Sequence, residues 1–101
     1  MIMMIVSVPS VELARSIAHK LLTNSVAGCV QILKSVESIF LWKGKQETAN
    51  ESILFIKLPK KNRRIAEKII REIHIYEIPE ILSFNVDANQ DYKRWLYSVT
   101  Q

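Results

Sequence analysis

Ser52-Ile53-Leu54-Phe55-Ile56-Lys57-Leu58, followed at once by Pro59, is the run that decides the fold. Apolar side chains stand at both odd and even positions, so neither face of the extended chain is left to water. Such a strand belongs in the middle of a sheet and is buried on both sides. Pro59 has no N–H to continue a ladder and ends it. Residues 2–8 form a second run of the same kind, closed by Val8-Pro9. Its start, Met1-Ile2-Met3-Met4-Ile5-Val6, has no basic leader and no small-residue cleavage site, and it is far too short to span a membrane. It reads as a first strand beginning at an initiator Met.

Two helical patterns and two further strands surround these runs. Ser10 offers an N-cap, with Glu12 near the positive end of the helix. Leu13, Ala14, Ile17, Ala18, Leu21 and Leu22 then recur at helical spacing, and Asn24-Ser25 can close the helix. His19 falls on the opposite, solvated side. From Gly28 to Trp42 the period becomes two, which puts Val30, Ile32, Val36, Phe40 and Trp42 on one face with Lys34 and Ser38. That is long for one strand, so it either bends near Lys34-Ser35 or runs past the domain body. Lys43-Gly44-Lys45-Gln46 reads as a hairpin turn, and Glu47–Asn50 as loop or ragged strand. After Pro59, Lys61 or Asn62 starts a second helix, whose stripe is Ile65, Ala66, Ile69, Ile70 and Ile73. Residues 78–86 are a fourth strand, and Tyr92, Trp95, Leu96 and Val99 mark a last short helix.

The order β-α-β-β-α-β plus a C-terminal helix is the ferredoxin-like α+β pattern, an antiparallel sheet in order 4-1-3-2. Residues 1–101 read as a single domain. Two helices cover one sheet face only, yet the central strands are apolar on both. A second copy of the chain is the simplest cover for the other face.

Composition narrows the chemistry. With 49% hydrophobic residues, two Gly and three Pro, the chain is globular. A net charge of +4 permits an acidic partner without requiring one. The single Cys29 rules out an intrachain disulfide and fits a reducing, cytoplasmic setting. In an apolar strand it reads as a small buried hydrophobe rather than a soft ligand. No Ser/His/Asp arrangement and no G-x-G-x-x-G stands out, so no enzyme is expected. The basic residues Lys57, Lys60, Lys61, Arg63, Arg64, Lys68 and Arg71 sit beside Glu67 and Glu72. They read as the wet face of the second helix. The third strand offers only Phe55 to stack a base, so no nucleic acid is expected.

The densest polar chemistry is Ile73-His74-Ile75-Tyr76-Glu77-Ile78-Pro79-Glu80-Ile81-Leu82. His74, Glu77 and Glu80 have the donor atoms of a copper or zinc site. The alternative is structural, with His74 at a helix C-terminus, Tyr76 anchoring a turn and both carboxylates solvated. Spacing alone favours the second.

Ala27-Gly28-Cys29-Val30, Trp42-x-Gly44-Lys45, Glu51, Lys57, His74-x-Tyr76-Glu77-x-Pro79-Glu80-Ile81 and Tyr92-x-x-Trp95 occur in order along nearly the whole chain. Together they resemble the CutA divalent-cation tolerance family. The resemblance implies a homotrimer of ferredoxin-like subunits, similar in shape to the P-II signalling proteins. It also implies a response to divalent metal ions such as copper and no catalytic reaction. Tyr76, Cys29, Lys57, Trp42, Lys45 and Glu51 would line a cleft between subunits. Some bacterial relatives carry a Cys at the end of the first strand and a His-His-Pro at the end of the second helix, to which copper binding is attributed. Here those positions read Val6 and Ile73-His74-Ile75, so one imidazole remains. The other implied reading is a P-II-like regulator that takes a small anion or a protein partner through Lys45, Lys57 and the basic helix.

Overall fold

One antiparallel sheet of four strands organises the computed structural model, which describes residues 1–101. Strand β1 (Ile2–Val8) lies between β3 (Lys45–Leu58) and β4 (Ile81–Asn85), and β2 (Cys29–Trp42) borders β3. The order β2-β3-β1-β4 is the expected 4-1-3-2 read from the other edge. Helices α1 (Val11–Thr23) and α2 (Arg63–Ile73) cover one face, and α3 (Gln90–Val99) closes the chain. No helix is long and apolar enough to cross a membrane.

Local chemistry sets the helix ends. The Ser10 hydroxyl oxygen accepts from the Leu13 N–H at 3.1 Å, capping α1 as expected. At the other end the Asn24 side chain donates to the Lys20 carbonyl at 2.8 Å, and Ser25 takes a positive φ of 54° to turn the chain. Helix α2 follows a single 3₁₀ turn at Lys60–Asn62. Asn62 stands where a cap belongs but makes no capping bond. Its buried amide instead donates to the carbonyls of Val26 and Gln101, each at 3.0 Å. One side chain thereby ties the loop after α1 and the chain's last residue to the start of α2.

The core lies between the helices and the sheet. Met4, Val6 and Val8 of β1 and Leu54, Ile56 and Leu58 of β3 meet Ala14, Ile17, Leu21, Ala66 and Ile70 there. Beside this core, α3 lies against Gly28, where a Cβ would come 2.5 Å from Leu96 Cδ1. The other face of the sheet presents Leu33, Leu82 and Phe84, all exposed within one chain.

The long strand both bends and runs on. Leu33 pairs with Ile53 and Val36 with Glu51, so Lys34 and Ser35 together oppose Ser52. This is a β-bulge, with Ser35 at φ 58°. Paired residues share a face, so Val30 and Ile32, opposite buried Ile56 and Leu54, point toward the helices. Val36, Ser38, Phe40 and Trp42 pair instead with Glu51, Ala49, Glu47 and Lys45, and they point away from the helices. The single face expected from the unbroken alternation is therefore corrected to two.

Beyond the bulge β2 and β3 form an arm, giving the subunit extents of 45 × 24 × 22 Å. Lys43 at φ 50° and Gly44 at φ 80° close the tip as a two-residue turn of the I′ kind. Glu47–Asn50 is regular strand within β3, its backbone bonds supplied by the partner strand of the arm. β4 is shorter than expected, starting at Ile81 rather than residue 78. Its ladder with β1 stops at the Val6–Ile81 pair, and residues 74–80 are held by side chains instead.

Candidate functional site

The segment between α2 and β4 is fastened by two side chains. The His74 backbone N–H still bonds the Ile70 carbonyl at 2.8 Å, completing the last turn of α2. Beyond it the chain extends, and the His74 ring folds back onto Tyr76 with centroids 4.8 Å apart. The Tyr76 N–H donates to His74 Nδ1 at 3.3 Å, so the ring proton belongs on Nε2. From there it donates to the Ser7 carbonyl at 2.8 Å. Both ring nitrogens are thus engaged with backbone.

Tyr76 reaches in the other direction, its hydroxyl donating to Glu51 Oε2 at 2.6 Å. Burial, then the hydrogen bond to Glu51 and its negative charge, push the Tyr76 pKa above the ordinary tyrosine range. Glu51 sits in β3 just past the bulge and is only 8% exposed. The pair anchors the 74–80 segment to the base of the arm.

A groove of about 530 Å³ opens along this junction, on the side of the sheet away from the helices. Its carboxylates are Glu47, Glu51, Glu77 and Glu80, and its aromatic walls are Phe40, Trp42 and Tyr76. Ser7, Ser38, Thr48, Ala49 and Ile78 complete it, and none of its residues is basic. The register past the bulge pairs Phe40 with Glu47 and puts Trp42 and Glu51 on the same face.

The structure therefore gathers Trp42, Glu51, Tyr76, Glu77 and Glu80 of the expected residues into one place. His74 lies beside the groove with its nitrogens turned to backbone. Cys29 and Lys57 pair with each other far from it, where Tyr92 meets the Cys29 thiol and Lys57 hydrogen-bonds Gln31. Lys45 sits exposed at the arm's tip. Glu47 and Phe40 are among the lining residues that sequence reading missed; a continuous alternation across Lys34-Ser35 carries no mark of which face the far half of the strand takes. As a metal centre the set does not fit within one subunit. No three His, Cys, Asp or Glu side chains converge closely enough to hold an ion, and His74 has no nitrogen lone pair to spare.

Fold and groove together define a class: a ferredoxin-like α+β subunit with an extended hairpin arm and an acidic, aromatic groove at its base. Residues 2–99 match the CutA1 divalent ion tolerance protein family, and the chain belongs to it. It is 31% identical over 93 residues to the divalent-cation tolerance protein CutA of Thermus thermophilus, covering 91% of this chain and 90% of that one. The solved structure of the Thermus thermophilus protein superposes with a TM-score of 0.95 at 30% identity over the whole of both chains. A periplasmic divalent cation tolerance protein CutA from Archaeoglobus fulgidus gives 0.96 at 26% identity, also over both whole chains. Protein CutA of mouse is 30% identical over 97 residues, which are 95% of this chain and 55% of the mouse protein. This chain thus spans a little over half the length of that relative. The family is described by divalent-cation tolerance and not by a reaction.

Proposed function

We propose that this chain acts, without catalysing a reaction, as a cytoplasmic homotrimer that responds to divalent metal ions such as copper or zinc. The observation that carries the reading is the groove: four carboxylates face one space that contains no basic residue. One subunit brings no complete ligand set together, so any metal contact at Glu77 and Glu80 draws further donors from a neighbouring copy. The assembly itself is supported by the apolar surface a lone chain leaves wet. Leu33, Leu82 and Phe84 lie on the uncovered sheet face, while Ile39 and Leu41 lie on the arm, Leu41 at 75% exposure. The names of the Thermus and Archaeoglobus relatives point to cations in the same direction.

Light scattering and copper titration calorimetry on one sample test the reading. A trimer mass with binding that falls when Glu77 and Glu80 are both changed to Gln is the expected result. A monomer, or a trimer that takes up neither copper nor zinc, overturns it. The P-II-like anion reading would need Lys45 to act with Lys57 and the basic helix, yet Lys45 and Lys57 stand at opposite ends of β3, about 40 Å apart at about 3.3 Å per residue.

A further inference from the structure

We propose that the groove at the base of the arm is a binding site for an organic ammonium ion, one carrying apolar substituents. This builds on the cation reading of the groove but not on any metal.

The chain carries a net +4, yet the residues lining this groove include four Glu and no Lys, Arg or His. The two salt bridges of the fold, Arg71 with Glu67 and Lys93 with Asp87, both lie elsewhere. The groove's carboxylates therefore have no cationic partner in the chain.

Glu51 is the most buried of the four. It is only 8% exposed, and Tyr76 holds one of its oxygens at 2.6 Å. The other oxygen takes no hydrogen bond, and it is not sealed away as a buried orphan. A nearly buried carboxylate with one oxygen open to a cavity is costly unless a positive charge or donors meet it there.

The walls then choose between kinds of cation. A bare divalent ion needs converging oxygen or nitrogen ligands at about 2.0–2.6 Å, which one subunit does not bring together without donors from a neighbouring copy. An ammonium needs no such convergence. It is held by diffuse negative charge and by the faces of aromatic rings. Phe40, Trp42 and Tyr76 supply those rings, with Ala49 and Ile78 as apolar neighbours. Trp42 already receives one such charge, from Lys43 Nζ at 5.8 Å from the ring centroid. The volume of about 530 Å³ falls in the ordinary range of small-molecule sites, roughly 300–1,000 Å³. The charged nitrogen sits against Glu51 and Glu47, and its substituents lie on Phe40 and Trp42.

Benzyltrimethylammonium chloride tests this by calorimetry and by quenching of tryptophan fluorescence, with benzyl alcohol as the neutral control and copper and zinc as parallel arms. Saturable binding of the cation, at least tenfold tighter than the alcohol, is expected. Trp42→Leu and Glu47→Gln, both on the arm and away from the core, should each weaken it at least threefold, and Glu51→Gln at least tenfold. Circular dichroism and light scattering establish that each variant keeps its fold and assembly. Equal affinity for alcohol and cation, or binding untouched by both Trp42→Leu and Glu47→Gln, overturns the proposal. Ammonium binding without copper or zinc binding defeats the metal reading and leaves this one standing. Copper binding without ammonium binding does the reverse.

Discussion

Tyr76 and Glu51 lie 25 residues apart in the chain and are joined by a 2.6 Å hydrogen bond that fixes the segment after α2 to the root of the arm. The bond requires the phenol proton. The folded-state pKa of Tyr76 stands above the ordinary value, whereas in the unfolded chain the phenol ionises near its usual pKa of about 10. The contribution is therefore complete below pH of about 10 and is lost as pH rises, because the unfolded state then releases a proton that the folded state retains. Tyr76→Phe should lower stability by about 1–2 kcal/mol at neutral pH. It should also flatten the fall in stability above pH of about 10. Urea unfolding at a series of alkaline pH values measures both effects. Parallel curves for the two proteins would show that the bond carries no linkage.

Gly28→Ala should be among the most damaging single-methyl changes. The added Cβ would sit 2.5 Å from Leu96 Cδ1 and 3.3 Å from Val99 Cγ2, so α3 must shift to admit it. Overpacking of this kind costs about 1–3 kcal/mol. Thermal unfolding should show that loss, with amide exchange quickening first in α3.

Asn62→Leu removes two hydrogen bonds and leaves the carbonyls of Val26 and Gln101 to find other donors. A loss of about 2–3 kcal/mol is expected. Asn62→Asp should cost as much or more, because a carboxylate cannot donate to either carbonyl. A merely capping Asn62 would instead tolerate Asp well, so comparing the two variants by denaturant unfolding distinguishes the roles.

Ser35 at φ 58° gives a test of the bulge with a change of sign. Ser35→Gly should be neutral or stabilising by up to about 1 kcal/mol, and Ser35→Val destabilising by about 1–2 kcal/mol, because a β-branched side chain resists the left-handed region. Chemical denaturation of the pair measures it. Equal stability of the two would mean the bulge takes another conformation in solution.

Much of this was legible in the sequence because it is written locally. Apolar residues of both parities in 52–58 and 2–8 mark the central strands. Ser10 caps the helix it precedes, and Gly44 marks the tip of the arm. What could not be read depends on pairing between distant segments. Val30, Ile32, Val36, Phe40 and Trp42 keep one period of two across the bulge, and alternation alone holds no information about which face each half addresses. Glu51 and Tyr76 were both singled out, but nothing in either residue's surroundings along the chain announces the bond between them. Asn62 or Lys61 marks the start of the second helix in the sequence, with nothing to show what the Asn62 side chain binds. Its amide was claimed by two carbonyls, 36 and 39 residues away. Of His74, Glu77 and Glu80, the two carboxylates share the groove, whereas the imidazole is turned to Ser7 and Tyr76, a choice that nothing in the local sequence marks.

The extra residue at Lys34-Ser35 also has a geometric meaning that survives its removal. Deleting Ser35 would leave Val36 opposite Glu51 and Phe40 opposite Glu47, since the partners past the bulge already follow the register of a strand one residue shorter. The inventory of the arm would not change. What would change is its heading, because a bulge bends its strand and tightens the local twist. The insertion is thus an aiming device. It sets the direction in which the arm leaves the subunit, while the choice of residues it carries is settled elsewhere.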